Sequence, residues 1–180
     1  MIRCYITDRK TCKGDLLDNI ERVARDGVNC IQLRENDLTG RDLLQLTEQA
    51  LARIVNTPTK LLVNDRADIA IAAGAHGVHL KSTPIPPAVY RQLLPEHFML
   101  SVSCHNLGEI QEAEGADVIL YSPIFASPGK GQPIGLDALK QATGITSIPI
   151  LALGGITNEN AVSCLSAGAS GIAAIRLFQP

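Results

Sequence analysis

The 180-residue sequence predicts a single α/β domain, residues 1–180, folded as a (β/α)8 TIM barrel whose C-terminal eighth helix is short or missing. Three observations carry the prediction. Short apolar runs, bounded by turn residues, recur at intervals of about 20–30 residues and are too short to be independent helices. The segments between them have helical spacing, so each unit reads strand then helix. The runs also lack polar alternation, which implies burial on both faces and hence a parallel sheet.

RCYIT (3–7) is the first strand. DLLDNIERVARDG (15–27) is the first helix, because Leu16, Leu17, Ile20, Val23 and Ala24 recur at three- and four-residue steps. NCIQLR (29–34) is the second strand, and GRDLLQLTEQALARIVN (40–56) repeats the helical pattern. KLLVN (60–64), GVHL (77–80), FMLSVS (98–103), DVILYS (117–122), PILALG (149–154) and GIAAIR (171–176) complete a set of eight strands. Gly27, Gly74, Gly115 and Gly168 stand where left-handed helix caps are expected. The chain is shorter than the roughly 200 residues at the low end for this barrel, and RLFQP closes the sequence just after the eighth strand. A doubly wound open sheet is the competing fold, but TDRKTCKG lacks the glycine-rich turn that usually follows its first strand. Without an eighth helix, the apolar outer faces of strands eight and one need another cover. A homodimer is therefore expected, with Leu177, Phe178 and neighbouring helix faces of the first or seventh unit in its interface.

Composition excludes several classes. Lys+Arg total 16 against 18 Asp+Glu, a net charge of −2 without a basic run, which argues against a nucleic-acid partner. The five cysteines, Cys4, Cys12, Cys30, Cys104 and Cys164, are odd in number and widely spaced, so neither a disulfide framework nor a zinc site is suggested. No apolar run approaches the roughly 18 residues that cross a bilayer, and MIRCYITDRK lacks the apolar core of an export signal. The expected setting is cytoplasmic, with no membrane partner.

In such a barrel, chemistry gathers at the carboxyl ends of the strands. Arg34, Glu35 and Asn36 follow strand two, and Asn64, Asp65 and Arg66 follow strand three. His79 and Lys81 belong to the end of strand four, while Ser103, Cys104, His105 and Asn106 end strand five. Ser122, Ser127 and Lys130 follow strand six, Gly154 and Gly155 strand seven, and Arg176 strand eight. Several of these have a plain structural reading as well. Asp65 reads equally as an N-cap of the next helix, His79 as a hydrogen-bonded core histidine, and Gln32 points either into the barrel or towards the helices. SPIFASPGKGQPIG (122–135) is a long Gly/Pro loop with one lysine between glycines, suited to closing over an anion. LALGGITNENA (151–161) is the strongest local signal: paired glycines between a strand and a helix let backbone N–H groups approach an anion, so phosphate is expected there.

The order of these blocks resembles the thiamine phosphate synthase and TenI family. The resemblance runs through CYITDR (4–9), IQLRE (31–35), LLVNDRADIAIAAGAHGVHL (61–80), SVSCHN (101–106), GADVILYSPIF (115–125), PILALGGITNENA (149–161) and GASGIAAIR (168–176). It implies the same barrel and a small phosphorylated thiazole as substrate. Synthases of this family join a pyrimidine diphosphate to a thiazole phosphate, using Mg²⁺ and basic residues to draw off pyrophosphate. TenI-like members move a proton on the thiazole phosphate and need no metal.

By this resemblance Gln32 and Arg34 match the QxR of a synthase motif QLREK, with Asn36 in place of its lysine. Asn64 and Asp65 match an ND pair whose aspartate helps to hold Mg²⁺. The second metal aspartate, in GVHLGQxD, is replaced by Pro84. Ser103 and His105 match SxH, and Ser127 and Lys130 stand for the first threonine and the lysine of FPTxTK. Gly154 and Gly155 match the phosphate-binding GG, with Ile175 and Arg176 where strand eight adds a backbone donor. The altered metal site favours a metal-independent, TenI-like tautomerase with no required cofactor. His105 is then the first proton carrier, followed by His79 and Lys130. Pro123 is instead synthase-like, as TenI-like enzymes can have histidine there. The alternatives are a thiamine phosphate synthase, Mg²⁺-dependent and with Asp65 as a metal ligand, and a non-catalytic binder of thiazole or thiamine phosphate.

Overall fold

A computed structural model of the chain describes residues 1–82 and 85–180; Pro84 lies outside the described residues. Eight parallel strands pair in chain order and close on themselves. They are β1 (Ile2–Ile6), β2 (Cys30–Leu33), β3 (Lys60–Asn64), β4 (Gly77–Leu80), β5 (Met99–Cys104), β6 (Val118–Tyr121), β7 (Ile150–Leu153) and β8 (Gly171–Ala174). Seven α-helices alternate with them among the described residues: α1 (Leu16–Arg25), α2 (Gly40–Ile54), α3 (Ala67–Ala73), α4 (Pro87–Leu93), α5 (Leu107–Gln111), α6 (Gly135–Ile145) and α7 (Asn158–Ser166). A 3₁₀ turn, Arg176–Phe178, follows β8. The predicted barrel and its strand order are what the structure shows.

Alternation along each strand divides the apolar residues between two cores. Cys4 and Ile6 of β1 face inward and meet Cys30, Val118, Leu120, Leu151 and Ala173 inside the barrel. Tyr5 faces outward, into the larger core between sheet and helices. Burial on both faces explains why the strands read as unbroken apolar runs: β2, β4, β6 and β8 are buried at every position.

Asp15, Thr39, Asn106 and Thr157 cap α1, α2, α5 and α7 by accepting a backbone N–H, which satisfies donors the first helical turn leaves free. One expected cap fails. α5 ends at Gln111, well before Gly115, and a Cβ on Gly115 would come within 2.8 Å of the Ala88 backbone, so this glycine permits close approach to α4.

The 3₁₀ turn lays Phe178 against β1, which corrects the place expected for that residue in an interface. Phe178 is buried within its own chain, in edge contact with Tyr5 at 6.0 Å between ring centroids and beneath the Arg3 guanidinium at 5.3 Å. Its carbonyl accepts from Arg22 Nη2 at 2.7 Å and from Asn19 Nδ2 at 3.2 Å, both on α1. The aromatic ring that was expected to meet a partner is buried against β1, and the Phe178 carbonyl is held by α1. Leu177 is partly buried against the same core.

Candidate active site

The carboxyl ends of the strands open into two joined clefts. The first, of about 320 Å³, is lined by Ser127, Leu153, Gly154, Gly155, Thr157 and the segment from Ala173 to Arg176, among others. Gly154 and Gly155 both take positive φ, 95° and 65°. They also lie against the loop after β6. A Cβ on Gly154 would sit 2.8 Å from Pro123 Cα, and one on Gly155 would sit 2.6 Å from the Ala126 carbonyl oxygen. Two backbone bonds sew the segments together, Ile124 N–H to Leu153 O at 2.9 Å and Phe125 N–H to Gly154 O at 3.0 Å. Asn160 reaches back to the Gly155 carbonyl at 2.8 Å while completing the capping box of α7. The turn is thus fixed from both sides, and the expected phosphate-binding residues Gly154, Gly155, Ile175 and Arg176 come together on one cleft.

The second cleft, of about 390 Å³, shares Ser127, Leu153, Gly154 and Ile175 with the first. Its volume lies in the range of small-molecule sites. Arg34, Lys81, Lys130 and His105 line it, and no carboxylate does among the described residues. Gln32, Asn64, His79, Ser103 and Ser122 form its polar floor.

Gln32 settles into the barrel. Its Nε2 donates to Asn64 Oδ1 at 2.8 Å, and Asn64 Nδ2 donates in turn to Asn36 Oδ1 at 3.2 Å. Gln32 Oε1 is buried with no hydrogen-bond partner among the described residues. A buried acceptor without a donor is costly. This oxygen, on a residue that lines the cleft, therefore suits a ligand N–H.

His79 is held at both ring nitrogens, Nδ1 to Ser101 Oγ at 2.8 Å and Nε2 to Ser103 Oγ at 2.9 Å. Burial pushes its pKa down to about 3, with Asp65 opposing and Arg34 reinforcing the shift. It is neutral at pH 7, and its bonds to Ser101 and Ser103 anchor both hydroxyls. His105 stands at the rim, with Nδ1 3.1 Å from Glu109 Oε2, and its backbone N–H donates to the same oxygen at 2.8 Å. Burial would raise the Glu109 carboxyl, but the bonds from His105 and Ser82 outweigh it and hold the carboxyl below its ordinary range.

Arg34 owes its position to residues that the sequence did not single out as a group. Its backbone N–H donates to Thr7 Oγ1 at 2.9 Å, and Thr7 donates to the buried Glu35 carboxylate at 2.6 Å. Burial raises the Glu35 pKa, and the bonds from Thr7 and Arg9 counter that only in part. Only the pairing of β1 with β2 brings these residues together, so spacing gave no signal for them.

Asp65 is not the N-cap that the sequence suggested. Arg66 occupies the N-cap position of α3, without a side-chain cap bond. Asp65 Oδ2 lies 2.6 Å from Lys81 Nζ. Proline at position 84 offers no carboxylate, and no group of three His, Cys, Asp or Glu side chains suited to a metal occurs among the described residues. Mg²⁺ usually takes one or two carboxylates from a protein and fills its other places with water and phosphate, and here Asp65 is already paired with an ammonium group and position 84 supplies none.

Comparison with known proteins agrees with the geometry. A sequence profile described as "Thiamine monophosphate synthase" matches residues 3–178. A putative thiamine-phosphate synthase of Geobacter sulfurreducens is 45% identical, the match covering 94% of this chain and 83% of the relative. A putative thiamine-phosphate synthase 2 of Aquifex aeolicus is 42% identical, over 96% and 95% of the two chains. Among solved structures, a thiamine phosphate pyrophosphorylase from Pyrococcus furiosus superposes with a TM-score of 0.86 at 28% identity, covering 97% of this chain and 85% of that one. With a barrel of this order, a glycine-pair turn beside β8 and a match along nearly its whole length, the chain belongs to the thiamine monophosphate synthase family.

Proposed function

We propose that the protein joins a pyrimidine diphosphate to a thiazole phosphate, releasing pyrophosphate. The altered metal site alone favoured a tautomerase; the names of the relatives and the second cleft favour the synthase. The single observation that carries this reading is the cationic cleft beside the glycine-pair cleft. A tautomerase acting on one monophosphate needs only the latter, whereas Arg34 and Lys130, with Lys81 held on the wall by Asp65, suit a second, more highly charged anion.

The roles follow from position. Gly154, Gly155 and the backbone at Ile175 and Arg176 hold the thiazole phosphate. Gln32 Oε1 accepts from the amino group of the pyrimidine, which gives the buried oxygen its missing donor. Arg34 and Lys130 bind the diphosphate, and Ser103, oriented by His79, and Ser127 bind its oxygens or the ring. As the carbon–oxygen bond to the diphosphate breaks, both electrons leave on oxygen. The lone pair of the thiazole nitrogen then forms the new carbon–nitrogen bond. No proton need move, which agrees with a His79 that is uncharged at pH 7 and engaged at both ring nitrogens.

One observation favours the tautomerase as a second reading: the His105 imidazole is oriented by Glu109, as a proton carrier requires. Incubating the protein with the thiazole phosphate tautomer, with and without the pyrimidine diphosphate, separates the two. Thiamine phosphate and pyrophosphate in equal amounts support the synthase. Aromatised thiazole phosphate without condensation supports the tautomerase and refutes the synthase.

A further inference from the structure

Asp65 is the only residue other than glycine with positive φ among the described residues, at 58°. Such a backbone is strained and persists only where its surroundings over-determine it. Two contacts do so here. The Asp65 N–H donates to the His79 carbonyl at 2.7 Å, and the carboxylate holds Lys81 Nζ at 2.6 Å. The strained end of β3 therefore grips the residue just beyond β4, and that residue lines the cationic cleft with Arg34 and Lys130. A lysine ammonium carries three donors, so bonding Asp65 leaves two free for an anion. A free lysine would sweep many rotamers; this one is tethered on the cleft wall.

We propose that Lys81, tethered by Asp65, is a built-in counter-cation that receives the departing pyrophosphate where a divalent metal would otherwise be needed. This rests on the synthase reading above. In that reaction, the electron pair of the breaking carbon–oxygen bond adds negative charge to the leaving diphosphate oxygen. The two free Lys81 donors meet that charge without first having to reorganise. The charges also balance locally, since the Asp65–Lys81 pair is neutral and leaves Arg34 and Lys130 to provide the net positive field for the anion. Magnesium has no vacant place at Asp65 while the ammonium occupies it.

The test uses inorganic pyrophosphate as probe and calorimetry as readout, on the full chain in excess chelator. The unaltered protein is expected to bind pyrophosphate under these conditions. Lys81→Ala should weaken that binding about tenfold, the loss of one charge-assisted contact, with thiazole phosphate binding changed by less than about twofold. Lys81→Arg should retain most of the affinity. Adding Mg²⁺ should leave the unaltered protein unchanged but restore part of the loss in Lys81→Ala, because Asp65 is then released. Equal pyrophosphate affinity in the unaltered protein and Lys81→Ala would overturn the proposal, as would condensation that stops in chelator and returns with Mg²⁺. If pyrophosphate binding in chelator depends on Lys81 but the two substrates never condense, the counter-cation stands and the synthase reading falls.

Discussion

The two clefts offer an anion different kinds of donor. At the glycine-pair cleft the donors belong to the backbone, and the turn that presents them is closed against Pro123, Phe125 and Ala126 and tied by Asn160. At the cationic cleft the donors lie at the ends of long side chains, Arg34, Lys81 and Lys130, all exposed at the surface. In the first cleft Gly154 and Gly155 leave no room for a side chain, because what the turn offers is its backbone shape. The second can change its charges one at a time without disturbing the barrel, which is where this chain departs from the family motifs, at Asn36 and in the loop after β4. A site made of backbone preserves its ligand; a site made of side chains can be retuned.

The largest effect should come from breaking the backbone site. Gly155→Ala places a Cβ 2.6 Å from the Ala126 oxygen at positive φ. It is expected to cost about 2–4 kcal/mol in denaturant unfolding. Thiazole phosphate affinity, measured by calorimetry, should fall roughly 100-fold as the donors shift.

His79 lies on the floor of the cationic cleft and supplies a pH test. Its pKa is about 3 in the folded protein, against roughly 6.5 when unfolded. Between these values only the unfolded state holds the proton, so stability rises with pH and is lost as pH falls from about 6.5 towards 3. Unfolding free energies at successive pH values should show an extra loss of up to ~1.4 kcal/mol per pH unit relative to His79→Gln, which keeps polar bonding to the serines but does not titrate. Identical slopes would mean that the imidazole is not desolvated as the structure places it.

The side-chain site should respond less. Lys130→Ala is expected to weaken pyrophosphate binding about tenfold and leave the melting temperature unchanged, since its side chain is exposed. Asp65→Ala should cost less, because it loosens Lys81 without removing the charge. Smallest of all is the response to salt. Raising ionic strength to about 0.5 M should weaken pyrophosphate several-fold more than thiazole phosphate, because exposed charges are screened and fixed backbone donors are not.

Much of this was legible in the sequence, for reasons that differ between the parts. The barrel could be read because buried parallel strands are apolar on both faces, and ITNENA following the glycine pair announces a turn and a helix start. Those signals are local. The same burial hid the direction of Gln32, since a strand buried at all four positions gives no alternation to read. The pairing of Asp65 with Lys81 and the support of Arg34 by Thr7 and Glu35 cross between strands, so no spacing encodes them. Phe178 shows the same limit. Its sequence neighbours suggested an exposed apolar end, whereas α1 supplies Asn19 and Arg22 to hold that end in place.

The central claim is that the two clefts are separate subsites occupied together. It is tested most directly by titrating pyrophosphate into protein already saturated with thiazole phosphate. The account predicts one further equivalent of pyrophosphate bound, with an affinity within about twofold of that of the free protein. Mutual exclusion of the two ligands would contradict it.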